Sequence, residues 1–175
     1  MIWTVVGCGS SAQNWKPEGI SIGVNDCWKF GQPTDYLLVA NRQDKFTKER
    51  YETIVQSIPK LFLTYKNCWA EEFPNRKRLP LMPWYGNLHK GAYYSSNTSP
   101  FIAMTYAFAH GAKELILWGV DFKDHHMYRD NNEETRRELA AYKELIDELE
   151  LQGCKTYLGC LGSAFESFLT IKNIK

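Results

Sequence analysis

Four five-residue runs that each break off into small or polar residues constrain this chain more than any other feature. They are Ile2–Val6 running into Gly7-Cys8-Gly9-Ser10-Ser11, Ile20–Val24 into Asn25-Asp26, Tyr36–Ala40 into Asn41-Arg42, and Glu114–Trp118 into Gly119-Val120-Asp121. Short apolar runs rich in branched side chains, separated by intervening segments, read as parallel strands buried on both faces. The predicted fold is therefore α/β: a single Rossmann-like domain over residues 1–175, with a mostly parallel sheet and helices on both faces. Open α/β sheets bind ligands outside the carboxyl ends of their strands, which is where the polar residues collect here.

Composition narrows the partners. A chain of 175 residues can bury a core without disulfides or structural metal. A net charge of +1 argues against a nucleic-acid groove, and Arg76-Lys77-Arg78 reads as a solvated loop. Five cysteines without paired zinc-type spacing predict free thiols in a reducing compartment. With no signal peptide and no membrane-length apolar run, the expected location is cytoplasmic. Aromatic residues between Trp69 and Tyr94 allow a homo-oligomer or an internal cover.

Between the runs, a short helix is expected at Ala12–Trp15, a helical turn at Asp26–Phe30, a helix from Lys45 to Ile58 and a strand at Lys60–Tyr65. Residues 66–97 lack a period and read either as a lid-like segment or as a cover packed on the sheet edge. Thr98-Ser99-Pro100 has the form of a helix start, with a hydroxyl cap and proline at the first helical position, ahead of apolar Phe101–Ala109. Asn132–Leu151 is an amphipathic helix, Lys155–Leu158 a last strand, and Ser163–Leu169 a last helical turn.

The strand ends carry the chemistry. Gly7, Gly9 and Ser10 lie in a turn that brings backbone close to a ligand, where successive N–H groups hold an anion, or that merely joins strand to helix. The spacing is neither the dinucleotide fingerprint nor a P-loop. Asn25 and Asn41 stand at strand ends, where a carboxamide both donates and accepts toward a ligand or caps the following turn. Beyond Asp121, the run Asp124-His125-His126 offers an imidazole as general base, a metal-ligating set, or a polar surface loop. His89 and His110 have no comparable context.

Taken in order, GCGSS, IGVND, LLVANR, SSNTSPFIAMTYAFAHGAKELILWGVDF and YLGCLGSAFESF resemble the small bacterial sialyltransferases of glycosyltransferase family 42. They are also similar to a wider group that includes 6-hydroxymethylpterin pyrophosphokinases and flagellin-glycosylation accessory proteins. The resemblance implies a nucleotide-sugar-dependent glycosyltransferase with a CMP-sugar donor, no obligatory cofactor, and a histidine base, with His126 preferred to His125. It further implies that Gly7, Gly9, Ser10, Asn25, Asn41, Thr98, Ser99, Gly162 and Ser163 face the nucleotide or sugar, and that Asp121 is the acidic residue after the glycine. Tyr93, Tyr94 or Tyr128 would assist the departing phosphate. The chain departs from the family at Cys8 and Ser10, which replace asparagine and proline, and at Ser96, which replaces an arginine that contacts donor. Two alternatives stand beside this reading: an ATP- and magnesium-dependent pyrophosphokinase using Asp121 and Asp124, and a non-catalytic nucleotide-binding module.

Overall fold

A computed structural model describes residues 1–65, 69–122 and 133–172. Nine strands and three α-helices are present among them: β1 (Ile2–Val6), β2 (Ile20–Val24), β3 (Tyr36–Val39), α1 (Lys48–Val55), β4 (Leu61–Thr64), β5 (Lys77–Arg78), β6 (Leu81–Pro83), β7 (Tyr93–Ser95), α2 (Ser99–Ala109), β8 (Glu114–Trp118), α3 (Glu133–Leu151) and β9 (Lys155–Leu158). Seven strands form one sheet in the order β5-β4-β3-β2-β1-β8-β9. Every pairing in it is parallel. The predicted α/β architecture is present, and because all strands run the same way, all their carboxyl ends lie along one edge.

Side-chain alternation divides the core in two. Trp3, Val5, Ile22, Val24, Leu38, Leu63, Leu115 and Leu117 pack with α2 and α3 on one face. Val6, Leu37, Val39, Phe62 and Ile116 pack on the other with Ala12, Trp15 and Ile54 of α1. Helix α2 is buried almost all round, from Phe101 to Ala107, so packing rather than an amphipathic stripe holds it in place. Each fully buried large apolar side chain contributes roughly 1.5–3 kcal/mol, which makes this helix a main anchor of the sheet.

Local elements differ from expectation in three places. The Lys45–Ile58 helix is broken into a 3₁₀ turn at Gln43–Lys45 and the shorter α1, because Thr47 adopts an extended conformation and caps the N–H of Arg50. The expected helix at Ala12–Trp15 is a 3₁₀ turn at Ser10–Ala12. The basic cluster is not simply loop: Lys77 and Arg78 form β5 and extend the sheet beyond β4. Within the segment expected to be irregular, β6 and β7 pair in parallel, and Trp69, Leu79, Leu88 and Tyr94 are buried, so this part packs as a cover. No described helix is long and apolar enough to cross a membrane. Cys8, Cys27, Cys154 and Cys160 are free thiols.

Candidate functional site at the carboxyl edge of the sheet

The strand order reverses direction at β1, with β2 on one side and β8 on the other. This is the topological switch point, where open α/β sheets place ligands. In this chain the space between the two strand ends is closed by the protein itself. Gly7 N donates to Trp118 O at 2.7 Å and Gly9 N to Gly119 O at 2.9 Å. Ser11 N donates to Asp121 Oδ2 at 2.9 Å, and Ser11 Oγ donates to Asp121 Oδ1. Gly119 N, in turn, donates to Ser11 Oγ at 3.0 Å. The turn after β1 is thus clasped to the turn after β8.

That clasp explains the glycines. A Cβ on Gly7 would overlap Gly119 O, and one on Gly9 would overlap Asp121 Oδ2. Gly119 has φ of +66°, and its missing Cβ makes room for Ala12 at 2.7 Å. Close approach is required, as expected, but of backbone to backbone rather than to a ligand. Of the turn's N–H groups, those of Gly7, Gly9 and Ser11 are already spent within the chain, and the acceptor that Ser11 holds is Asp121, 6% exposed. Ser10 remains exposed at the mouth of the turn.

The neighbouring strand ends are tied in sequence. Cys8 Sγ donates to Val24 O at 3.1 Å, linking the end of β1 to that of β2. Asn25 N donates to Leu38 O at 2.9 Å, linking β2 to β3. Asn25 has φ of +50°, a left-handed conformation that asparagine tolerates, so part of its selection is conformational. Its carboxamide is nonetheless unspent: Oδ1 is buried and accepts no hydrogen bond from the described residues. Asn41 is exposed at the end of β3, and its carbonyl accepts from Trp69 Nε1 at 2.8 Å, which fastens the cover to the same edge.

Between these ends lies a charged group that the sequence patterns did not single out. Asp26, 3% exposed, accepts at Oδ1 from Arg50 Nε at 2.9 Å and Nη2 at 2.6 Å, while Lys29 Nζ lies 3.6 Å from Oδ2. Burial opposes ionisation of Asp26, but the hydrogen bonds and charge of Arg50 outweigh it and hold the carboxyl below its ordinary value. The guanidinium also sits 5.1 Å over the Phe46 ring. Cys8, enclosed beside Asp26, is pushed up to about 12, first by burial and then by the neighbouring carboxylate. It is a thiol donor in this site, not a thiolate nucleophile. Two residues separated by more than twenty positions form this pair, and no local motif marks it; the only signal was an acid two positions after the β2 run.

Helix α2 places its first turn at the same edge, because its last turn leads through Gly111 to the amino end of β8, where Lys113 N donates to Met1 O at 2.8 Å. Thr98 is the N-cap residue and Ser99 the first helical residue, so Pro100 stands one position further in than expected, and the Thr98 hydroxyl makes no capping bond. Instead it pairs with Tyr142 Oη at 2.7 Å and donates to Glu138 Oε1 at 3.2 Å, an acceptor shared with Ser96 Oγ. Glu138 is 3% exposed and lies on the same buried stripe as Tyr142, Leu145 and Leu149. A glutamate on a helix's apolar stripe was the legible signal for this cluster. Ser99 is buried immediately beside it.

Two further groups complete the edge. Ser163 Oγ donates to Val120 O at 2.7 Å and accepts from Phe165 N at 3.1 Å, so its hydroxyl is engaged in capping the last 3₁₀ turn. Gly162, at φ of +111°, stands with its missing Cβ 3.6 Å from Ser11 Cβ. The rings of Phe122 and Phe165 each lie against Tyr142, which joins the Asp121 side of the edge to α2 and α3. Gly7, Gly9, Ser10, Asp121, Gly162 and Ser163 therefore form one contiguous group, with Asn25 and Asn41 on one flank and Thr98 and Ser99 on the other.

Two tyrosine expectations are corrected. Tyr93 stacks on His110, at 5.9 Å between ring centres, and so belongs to the opposite end of α2. Tyr94 is 3% exposed and its hydroxyl accepts from His89 N at 3.2 Å, an internal packing role. Neither stands at the carboxyl edge. His125, His126, Asp124 and Tyr128 lie outside the described residues.

No family model matches the sequence. No curated protein matches it. Among solved structures, the chain is similar to the sialyltransferase CstII from Campylobacter jejuni in complex with the substrate analogue CMP-3FNeuAc, with 14% identity, a TM-score of 0.59, and coverage of 97% of this chain and 84% of that one. It is similar to the sialyltransferase CST-II in complex with a trisaccharide acceptor and CMP, at 14% identity and a TM-score of 0.57 over 100% of this chain and 89% of that one. It is also similar to the monofunctional alpha-2,3-sialyltransferase Cst-I from Campylobacter jejuni, at 11% identity and a TM-score of 0.58 over 99% of this chain and 82% of that one. At these identities the likeness is one of fold.

Proposed function

We propose that this chain is a glycosyltransferase that uses a CMP-sugar donor and the sheet's carboxyl edge to bind it. The observation that carries this reading is the alignment of Asn25, with its buried and unpartnered Oδ1, and Asn41 on adjacent strand ends beside the clasped Gly7–Ser11 turn. A neutral carboxamide that still has an acceptor to offer suits a ribose hydroxyl or the amino edge of a nucleobase. Solved neighbours of the same fold hold CMP or a CMP-sugar analogue, which supports the choice of donor.

In this proposal Asn25, Asn41 and Ser99 orient the donor, Gly7, Gly9, Ser10, Gly162 and Thr98 shape its walls, and Ser163 supports the wall through its cap. Asp121 keeps the turn after β1 in place rather than moving a proton, since both its oxygens accept from Ser11. His126, or its neighbour His125, takes the proton from the acceptor hydroxyl as that oxygen displaces CMP from the anomeric carbon. Tyr128 is the tyrosine retained to assist the leaving phosphate.

The test is release of CMP from a CMP-sugar by the full chain, first by hydrolysis and then with a panel of sugar acceptors, with and without EDTA. Release that persists in EDTA and disappears in His125→Ala/His126→Ala supports the reading. Turnover of ATP that requires magnesium would replace it with pyrophosphoryl transfer, and CMP binding with no turnover of any donor would leave a binding module.

A further inference from the structure

The carboxylate of Asp121 stands against the glycine turn, where it accepts from Ser11, and the α2 side of the edge holds the buried carboxylate of Glu138. A carboxylate at each place opposes an oxyanion on a ligand beside it. The β2–α1 side is different. Arg50 lies in the first turn of α1, and α1 follows the crossover from β3, so this residue stands at the carboxyl edge next to Asp26 at the end of β2. Its Nε and Nη2 are committed to Asp26, but Nη1 makes no hydrogen bond to a described residue, and the side chain is 33% exposed. Lys29, 41% exposed, adds a second positive charge against the single carboxylate of Asp26. A guanidinium fixed on two sides, by a carboxylate and by the Phe46 ring, with one nitrogen left over, is prepared to receive an anion with little loss of side-chain freedom.

Resting on the glycosyltransferase reading, we propose that Arg50, positioned by Asp26, is the contact for an oxyanion of the donor, either its phosphate or a carboxylate on its sugar. The charge that Ser96 does not supply on the α2 side is then delivered from the opposite flank of the carboxyl edge. A donor would lie with its oxyanion toward α1 and its hydroxyls toward Glu138, Thr98 and Ser96.

The test measures dissociation constants of the full chain for cytidine, CMP and a carboxylate-bearing CMP-sugar analogue by titration calorimetry, for the wild type and Arg50→Gln. A lost charge-assisted hydrogen bond weakens binding about 10- to 100-fold, while cytidine stays within about twofold. A loss that begins with CMP assigns Arg50 to the phosphate, and one confined to the CMP-sugar assigns it to the carboxylate. Because Arg50→Gln leaves Asp26 buried without its partner, the same titrations are made on Asp26→Asn/Arg50→Gln, in which no buried charge is left unpaired and the same loss is expected. Wild-type ratios among the three ligands in both variants would overturn the role of Arg50 alone. Absence of binding of all three ligands to the wild type would overturn the glycosyltransferase reading together with it.

Discussion

Removing the Asp121 carboxylate should loosen the turn after β1 and cost stability before it costs chemistry. Asp121→Ala deletes the acceptors of Ser11 N and Ser11 Oγ. Hydrogen bonds to a charged group are worth about 1.5–3 kcal/mol each, and Ser11 is only half-buried, so the low end applies and the pair sums to about 3 kcal/mol. For a domain of this size, that lowers the melting temperature by roughly 6–12 °C. Ser11→Ala removes the same two-bond contact in part, leaving its N–H in place, and also frees Gly119 N. The double variant should therefore be less damaged than the sum of the singles, with a coupling of about 1–3 kcal/mol read from urea titrations of all four proteins. Additive losses within about 0.5 kcal/mol would refute the clasp. So would an Asp121→Ala protein as stable as the wild type but inactive, which would return this residue to proton transfer.

Gly7→Ala forces a Cβ into Gly119 O, and an overpacking cost of about 1–3 kcal/mol should appear as a lower melting temperature, whereas Gly31→Ala, whose Cβ meets open space, should lack this steric cost. Cys8, at about 12, and Cys27, raised well above its ordinary value by burial, stay protonated in the folded chain, so native thiol titration at pH 8 should report both as slow to react. Their linkage has a definite sign: above the unfolded thiol value of about 8.5 only the unfolded chain loses these protons, so stability should fall as pH rises from there. Tyr93→Phe should leave CMP release unchanged, and a large loss of turnover would contradict its placement beside His110.

The parts of this fold that are written in local pattern were legible. β8 and β9 fall where runs of apolar residues meet turn signals, and Pro100 marks the first turn of α2. What escaped depends on partners distant in the chain. A two-residue strand of exposed Lys77 and Arg78 has no periodicity to recognise, and only its register against Leu63 and Thr64 makes it a strand. Thr98 has the sequence signature of a capping hydroxyl, yet Tyr142 and Glu138, some forty residues on, take that hydroxyl for themselves. Asp26 and Arg50 carry no motif at all, because their pairing is produced by the crossover between β3 and β4. The candidate site follows the same division: its strand-end residues could be named in advance, while the electrostatics that distinguish one flank from the other could not.

That difference between flanks alters how a glycine-rich turn at a switch point should be understood here. Such a turn offers backbone donors to an anion only while those donors are unpaired. In this chain the N–H groups of Gly7, Gly9 and Ser11 are consumed by Trp118 O, Gly119 O and Asp121, so these three contribute shape and rigidity to the turn in place of charge. Fixing it has a consequence for its neighbours: Cys8, held within the same turn, anchors Val24 O and stands against Asp26, so the clasp at β8 also sets where Asp26 and Arg50 lie. Asp121 thereby acts on the far flank through hydrogen bonds joined by the backbone of the turn, and a disturbance at Ser11 should reach Arg50 through Cys8 before it reaches Glu138, whose partners Ser96 and Thr98 precede α2 instead.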